Sequence, residues 1–181
     1  NWSNQESARR DGFDAEIVEL SDIRGKNIRM RQVYKPSNGS SVADLRLHWN
    51  GDRVMFTQTR KDKRWNVFEV KLDGTGLKEL INNEEPDLEF YDGTYLPDGR
   101  ILAISNIGYQ GVPCVNGSDP VGNLVLYTPQ TGNLRRITFD QDANWNPVVM
   151  NNGRVMYTRW EYTDLTHYYS RIVMHMNPDG T

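Results

Sequence analysis

Cys114 is the sole thiol of the chain, and it lies in the Gly/Pro-framed stretch Gln110-Gly111-Val112-Pro113-Cys114. A thiol does metal or haem chemistry as the thiolate, which needs a cation, metal or imidazole beside it. The adjacent residues supply none, so an inert loop thiol is the other reading. Further on, Glu161, Asp164 and His167 share one short polar stretch. An Asp/Glu/His set suits zinc ligation or general acid–base work, and it also reads as a hydrogen-bonded loop brace. His175 stands eight residues past His167, about 26 Å along a strand, so the two share an ion only if the chain doubles back. Asp140-Gln141-Asp142 offers oxygens to calcium without the rest of a calcium loop, and is expected to brace a connection through Asx-type turns. No Gly-x-Ser-x-Gly elbow, phosphate-binding glycine loop or His-Glu-x-x-His occurs, so no hydrolase triad can be assembled.

The elements that must position these groups are announced by a repeated phrase. Asn50-Gly51-Asp52-Arg53-Val54-Met55-Phe56, Pro97-Asp98-Gly99-Arg100-Ile101-Leu102-Ala103 and Asn151-Asn152-Gly153-Arg154-Val155-Met156-Tyr157 each read as a tight turn, an arginine and an apolar strand. A second turn follows each, at Asp73-Gly74, Thr131-Gly132 and Asp179-Gly180. Paired turn signals in register mark an internal repeat. The first repeat parses into a short strand ending near Trp49, then Val54 to Thr59, Asn66 to Leu72 and Leu77 to Ile81. Val54, Met55 and Phe56 are all apolar, as in a strand buried on both faces. Phe68, Val70 and Leu72 alternate with Val67, Glu69 and Lys71, the period of a half-solvated strand. The chain is therefore expected to be all-β: about three propeller-type blades of four-stranded antiparallel sheet, approximately 44–81, 87–138 and 142–181. Strands within 14–36 precede them, and residues 1–13 form a polar arm. Three blades do not close a ring of four to eight, so a partial propeller is expected, completed by other domains of a longer chain or by a second copy.

The turn arginine and the next turn glycine are 21 residues apart from Arg53 to Gly74, 32 from Arg100 to Gly132 and 26 from Arg154 to Gly180. The surplus falls between the second and third strands, in 107–122 and in 161–167. Insertions at one end of a repeat array build its functional surface. Tyr109, Gln110, Asp119, Glu161 and Tyr162 are therefore the expected ligand-facing residues. Arg53, Arg100 and Arg154 recur at one position and are expected to serve the scaffold. Trp49, Trp65, Trp145 and Trp160 read as core, with a sugar-binding funnel as the alternative.

Bulk properties narrow the partners. A formal charge of -3 with 25% charged residues gives no basic surface for nucleic acid. The cluster Arg60-Lys61-Asp62-Lys63-Arg64 reads as a solvated hairpin tip, and Glu84-Glu85-Pro86-Asp87-Leu88-Glu89 as a solvated linker. No apolar run approaches the ~20 residues of a membrane helix. One cysteine excludes an intrachain disulfide and any Cys-x-x-Cys-His haem attachment within this chain. The chain opens at Asn1, so any targeting segment is expected to lie outside these residues.

The blades resemble the Pro-Asp-Gly repeats of TolB-type propellers. Longer phrases resemble proteins related to the hydrazine synthase alpha subunit: Asp92-Gly93-Thr94-Tyr95-Leu96-Pro97-Asp98-Gly99-Arg100, Gln110-Gly111-Val112-Pro113-Cys114 with Gly117-Ser118-Asp119, Thr138-Phe139-Asp140-Gln141-Asp142, and Asn152 through Asp164 continuing from His167 to Thr181. That resemblance implies an exported, periplasmic or cell-surface protein with a central propeller. It places Cys114 on the loop that, in hydrazine-forming members, approaches a haem and zinc site.

Three functions follow as expectations. The first is a binding or scaffolding propeller module, non-catalytic alone and holding no cofactor within this chain. The second is part of a metal- or haem-dependent redox enzyme, with Cys114, Asp164 and His167 at a zinc or haem contact completed by another domain. The third is a glycan-binding propeller.

Overall fold

The computed structural model describes residues 8–37, 39–112, 116–161 and 170–181. Thirteen strands, and no helix among the described residues, form four antiparallel sheets. A two-stranded ribbon pairs β1 (Ile17–Ser21) with β2 (Arg29–Tyr34). The first blade runs β3 (Ala43–Leu47), β4 (Arg53–Thr59), β5 (Trp65–Lys71) and β6 (Lys78–Glu79). The second runs β7 (Phe90–Tyr95), β8 (Ile101–Ser105), β9 (Asn123–Thr128) and β10 (Asn133–Arg136). The third has β11 (Asn144–Val149), β12 (Val155–Trp160) and β13 (Arg171–Met176). Within each blade the strands follow one another in chain order, as the repeated turns require.

Those turns work through glycine. Gly51, Gly99 and Gly153 carry φ of 69°, 86° and 82°, a region side chains enter at a cost. Each amide closes its turn on the carbonyl three residues back, at His48, Leu96 and Met150. Strand alternation then divides the apolar residues between neighbouring sheets. In β8, Ile101 and Ala103 pack toward the first blade with Met55, Val67 and Ile81, whereas Leu102 and Ile104 pack toward the third with Val155, Tyr157 and Met176. In β4, Val54 and Phe56 face the β1–β2 ribbon through Ile17 and Val33. Stacked sheets thus share three cores, and the central strands of the first two blades are buried on both sides.

The expectation of a half-solvated third strand does not hold, because β5 is buried from Trp65 to Val70. Its polar members are matched instead of solvated. Glu69 takes Arg53 Nε at 3.1 Å, Lys78 Nζ at 3.0 Å and the Tyr95 hydroxyl at 2.7 Å. Burial pushes the Glu69 carboxyl up, but Tyr95, Lys78 and Arg53 outweigh it and hold it below its ordinary value. Asn66 donates Nδ2 to the Ile81 carbonyl at 2.9 Å.

The acidic linker also splits in two. Glu84 to Asp87 are exposed, but Leu88 and Glu89 are buried. Glu89 accepts Arg10 Nη2 at 3.0 Å, and Arg10 lies over the Trp65 ring, which brings residue 10 onto the seam between the first two blades. The 60–64 cluster is a tight turn, closed by Arg60 N–H on the Arg64 carbonyl at 2.8 Å. Arg64 Nη1 ties it to Glu85 O at 2.7 Å. The ribbon packs on β4 and β5 of the first blade, and Leu45, Leu47 and Trp49 are exposed on β3 and just beyond it.

Close packing between blades has a sharp test at Gly93. A Cβ there would stand 2.7 Å from Met55 Sδ and 2.8 Å from Val67 Cγ1, both buried. Gly93→Ala is expected to cost about 1–3 kcal/mol through overpacking, read as a lower urea midpoint; an unchanged midpoint would contradict the packing.

Candidate functional site

Two features converge polar groups: the inner strands, and the end of the array that carries the insertions. Each inner strand has a bulge, between Ala43 and Arg46 in β3, Tyr91 and Thr94 in β7, and Trp145 and Val148 in β11. Its left-handed residue is Asp44, Asp92 or Asn146, with φ of 55°, 47° and 55°. Asp and Asn tolerate that region better than other side chains. All three stand seven residues ahead of a turn glycine, at Gly51, Gly99 and Gly153. That register was present in the sequence, and reading the turns alone missed it.

A bulge leaves a backbone amide without its ladder partner, and here the preceding blade supplies one. Asp92 N–H donates to Thr57 Oγ1 of the first blade at 2.9 Å. The Asp92 carboxyl in turn accepts Asn146 Nδ2 at 3.1 Å and Arg46 Nη2 at 2.9 Å. The interaction therefore steps from blade to blade. Next to it, Arg46, Leu47, Thr94, Tyr95, Val148 and Val149 line a cleft of about 170 Å³ where the inner strands meet. Burial pushes the Asp92 carboxyl up to about 6, with the Asp44 charge adding to it and Arg46 and Asn146 opposing. Asp44 is raised by burial too, and its Oδ2 has no hydrogen-bond partner among the described residues.

At the insertion end, residues 106–112 and 116–121 are held against one another. Tyr109 N–H bonds to Asn106 O at 2.8 Å, Val121 N–H to Gln110 O at 2.7 Å and Val112 N–H to Asp119 O at 2.8 Å, while Gly111 bridges Pro120. Val112 and Val121 then bury against Ala143 and Trp160 of the third blade. Trp160 stacks on Trp145 at 5.9 Å, and Arg171 lies over both rings, 4.8 and 5.4 Å from their centroids.

The structure thus brings Gln110 and Asp119 together in one loop. Gln110 Oε1 accepts Arg136 Nη2 at 3.2 Å, whereas Tyr109 projects with 64% of its surface exposed. Glu161 sits on the adjacent blade, held by Arg159 Nε at 3.2 Å, and Arg159 also pairs with Asp140 at 2.6 Å. Asp140 accordingly braces the connection through an ion pair and an Asn144 hydrogen bond at 3.0 Å, not through an Asx turn. Cys114, Tyr162, Asp164 and His167 lie outside the described residues. His175 is exposed on β13 while Met174 and Met176 pack inward. Of the repeated arginines, Arg53 reaches Glu69 on the neighbouring strand, and Arg100 closes on Asp98 of its own turn at 2.7 Å.

No family model matches the chain, and no curated protein does. Solved structures do match it. Hydrazine synthase of Kuenenia stuttgartiensis superposes with a TM-score of 0.63 at 11% identity, over 84% of this chain and 26% of that one. TolB of Acinetobacter baumannii gives 0.57 at 14% identity, over 90% and 41%. Oligogalacturonate lyase of Vibrio parahaemolyticus gives 0.57 at 14%, over 92% and 47%. The chain spans less than half the length of each of these. Such identities carry the fold alone, and the fold is a TolB-like β-propeller module.

The bulge ladder predicts a pH dependence. Folded Asp92 keeps its proton up to about 6, whereas an ordinary carboxyl loses it near 3.8. Its stabilising contribution is full below the lower value and is lost as pH rises through the upper one, a change on the order of 3 kcal/mol. Asp92→Asn, the residue type that the third blade already uses at this position, should flatten that part of the stability profile between pH 4 and 7, measured by thermal unfolding. An identical slope in the two proteins would remove Asp92 from the ladder.

Proposed function

We propose that this chain is a binding and scaffolding module, non-catalytic alone, of an exported protein related to the hydrazine synthase alpha subunit. Its contact surface is the insertion-bearing end. The observation that carries this reading is the seating of Val112 and Val121 on Trp160, which turns an insertion into a fixed platform shared by two blades. A loop kept only as a linker has no need of such an anchor, whereas a recognition surface gains from pre-organisation. The sequence resemblance supports export, to the periplasm or cell surface.

The exposed Leu45, Leu47 and Trp49 support further strands as partners, from other domains of a longer chain or from a second copy. Nucleic acid is not a partner in this reading, given the net charge of -3, and no helix among the described residues is long and apolar enough to cross a membrane.

Zinc content and Cys114 labelling, measured on one preparation, decide between this reading and the redox one. The module is expected to carry no stoichiometric zinc and to react at Cys114 at the same rate before and after a chelator. Zinc that shields Cys114 until it is chelated would replace this reading with a cofactor site drawing on Cys114, Asp164 and His167.

A further inference from the structure

We infer that the cleft beneath Tyr109 is a carbohydrate subsite that takes one neutral pyranose ring of an oligosaccharide. This rests on the reading of the insertion end as a binding surface and names its ligand class. Tyr109 is held at φ 49°, a strained setting for a bulky aromatic, and such strain persists where surrounding structure imposes it, often at ligand sites. The imposing structure is visible. Tyr109 N–H closes the turn on Asn106 O. At Gly108 a Cβ would stand 2.9 Å from Asn123 Oδ1, 3.0 Å from Arg136 Nη1 and 3.1 Å from Gln110 Oε1, so the loop lies directly on these side chains. Asn123 is fully buried, and neither atom of its amide has a hydrogen-bond partner among the described residues.

The cleft measures about 220 Å³ and is lined by Asp87, Asn106, Tyr109, Gln110, Gly111, Gly117 and Pro120. That is smaller than the pocket of a whole drug-sized ligand, so it admits one ring while the rest of a longer ligand lies on the surface. An aromatic face takes the C–H side of a sugar, and the Asp87 carboxylate and Gln110 amide suit its hydroxyls. Arg136 fixes the Gln110 Oε1 at 3.2 Å, which presents the Nε2 as a donor.

Charge selects a neutral sugar. Asp87 is an acidic residue at the wall, and the guanidinium that reaches Gln110, Arg136, is committed to it, to the Thr138 carbonyl at 2.7 Å and to the Phe139 ring. An extended peptide would need a free strand edge. Among the described residues the walls offer none, since Gly111 bridges Pro120 and Gly117 N–H bonds to Val112 O.

The test is titration of the full chain with short cello-, N-acetylchito- and galacto-oligosaccharides, with polygalacturonate as the charged comparison. At least one neutral oligosaccharide is expected to bind, and Tyr109→Gly to weaken it about tenfold. That variant relieves the left-handed strain, so its melting temperature should not fall, whereas loss of a merely structural tyrosine would lower it. Tyr109→Phe keeps the ring and should stay within about twofold of the wild type. Equal binding by Tyr109→Gly, tighter binding of polygalacturonate, or no binding by any neutral oligosaccharide would overturn the subsite. No sugar binding with a freely labelled Cys114 removes the sugar alone, while zinc on Cys114 removes the binding-surface reading itself.

Discussion

Stacking twisted sheets around an axis forces the inner strands to bend, and the bend exposes backbone that a flat ladder would have paired. In this chain each inner strand bends at a bulge, and a buried amide without a partner costs as much as a lost hydrogen bond. The seams turn that cost into cohesion: Thr57 of the first blade accepts the Asp92 bulge amide at 2.9 Å, and the Asp92 carboxyl accepts Arg46 of the first blade at 2.9 Å and the Asn146 side chain of the third at 3.1 Å. Two neighbouring sheets must therefore be in place before the β7 bulge is satisfied. The rest of the structure is arranged around that requirement.

Apolar packing alone would not set the blades in register. The shared cores contain many similar aliphatic side chains, and such cores accept exchange of like for like. Polar links spanning the seams discriminate better. Tyr95 of the second blade donates to Glu69 of the first at 2.7 Å. Glu89 joins Arg10 to the Trp65 amide. Arg159 joins the third blade to the connection before it through Asp140. Each leaves a buried charge exposed to an unfavourable setting if the sheets slip. The same logic places the second blade's insertion: Val112 and Val121 anchor it on a fixed neighbour, Trp160.

Much of this was legible in the residues. The glycine turns, the strand order and the location of the insertions all follow from Gly51, Gly99 and Gly153 recurring in register with Gly74, Gly132 and Gly180. What escaped was set by neighbours rather than by local pattern. Glu69 and Glu89 read as solvent-facing because a glutamate gives no local sign of the arginine or tyrosine that will cover it. Asp44, Asp92 and Asn146 carry no local sign of their part in the bulges, since the groups that meet Asp92 come from other repeats. Tyr109 was expected at a ligand-facing surface and is exposed there, but its left-handed backbone is a property of the folded turn.

The interlock is tested most directly by native-state amide hydrogen exchange at Asp92, the bulge amide that Thr57 of the preceding blade accepts. Interlocking predicts that it exchanges only with global opening, as slowly as the mid-strand amides of β8. Exchange as fast as that of the exposed turn amides near Gly99, with β8 still protected, would contradict it and leave the blades held by apolar contact alone.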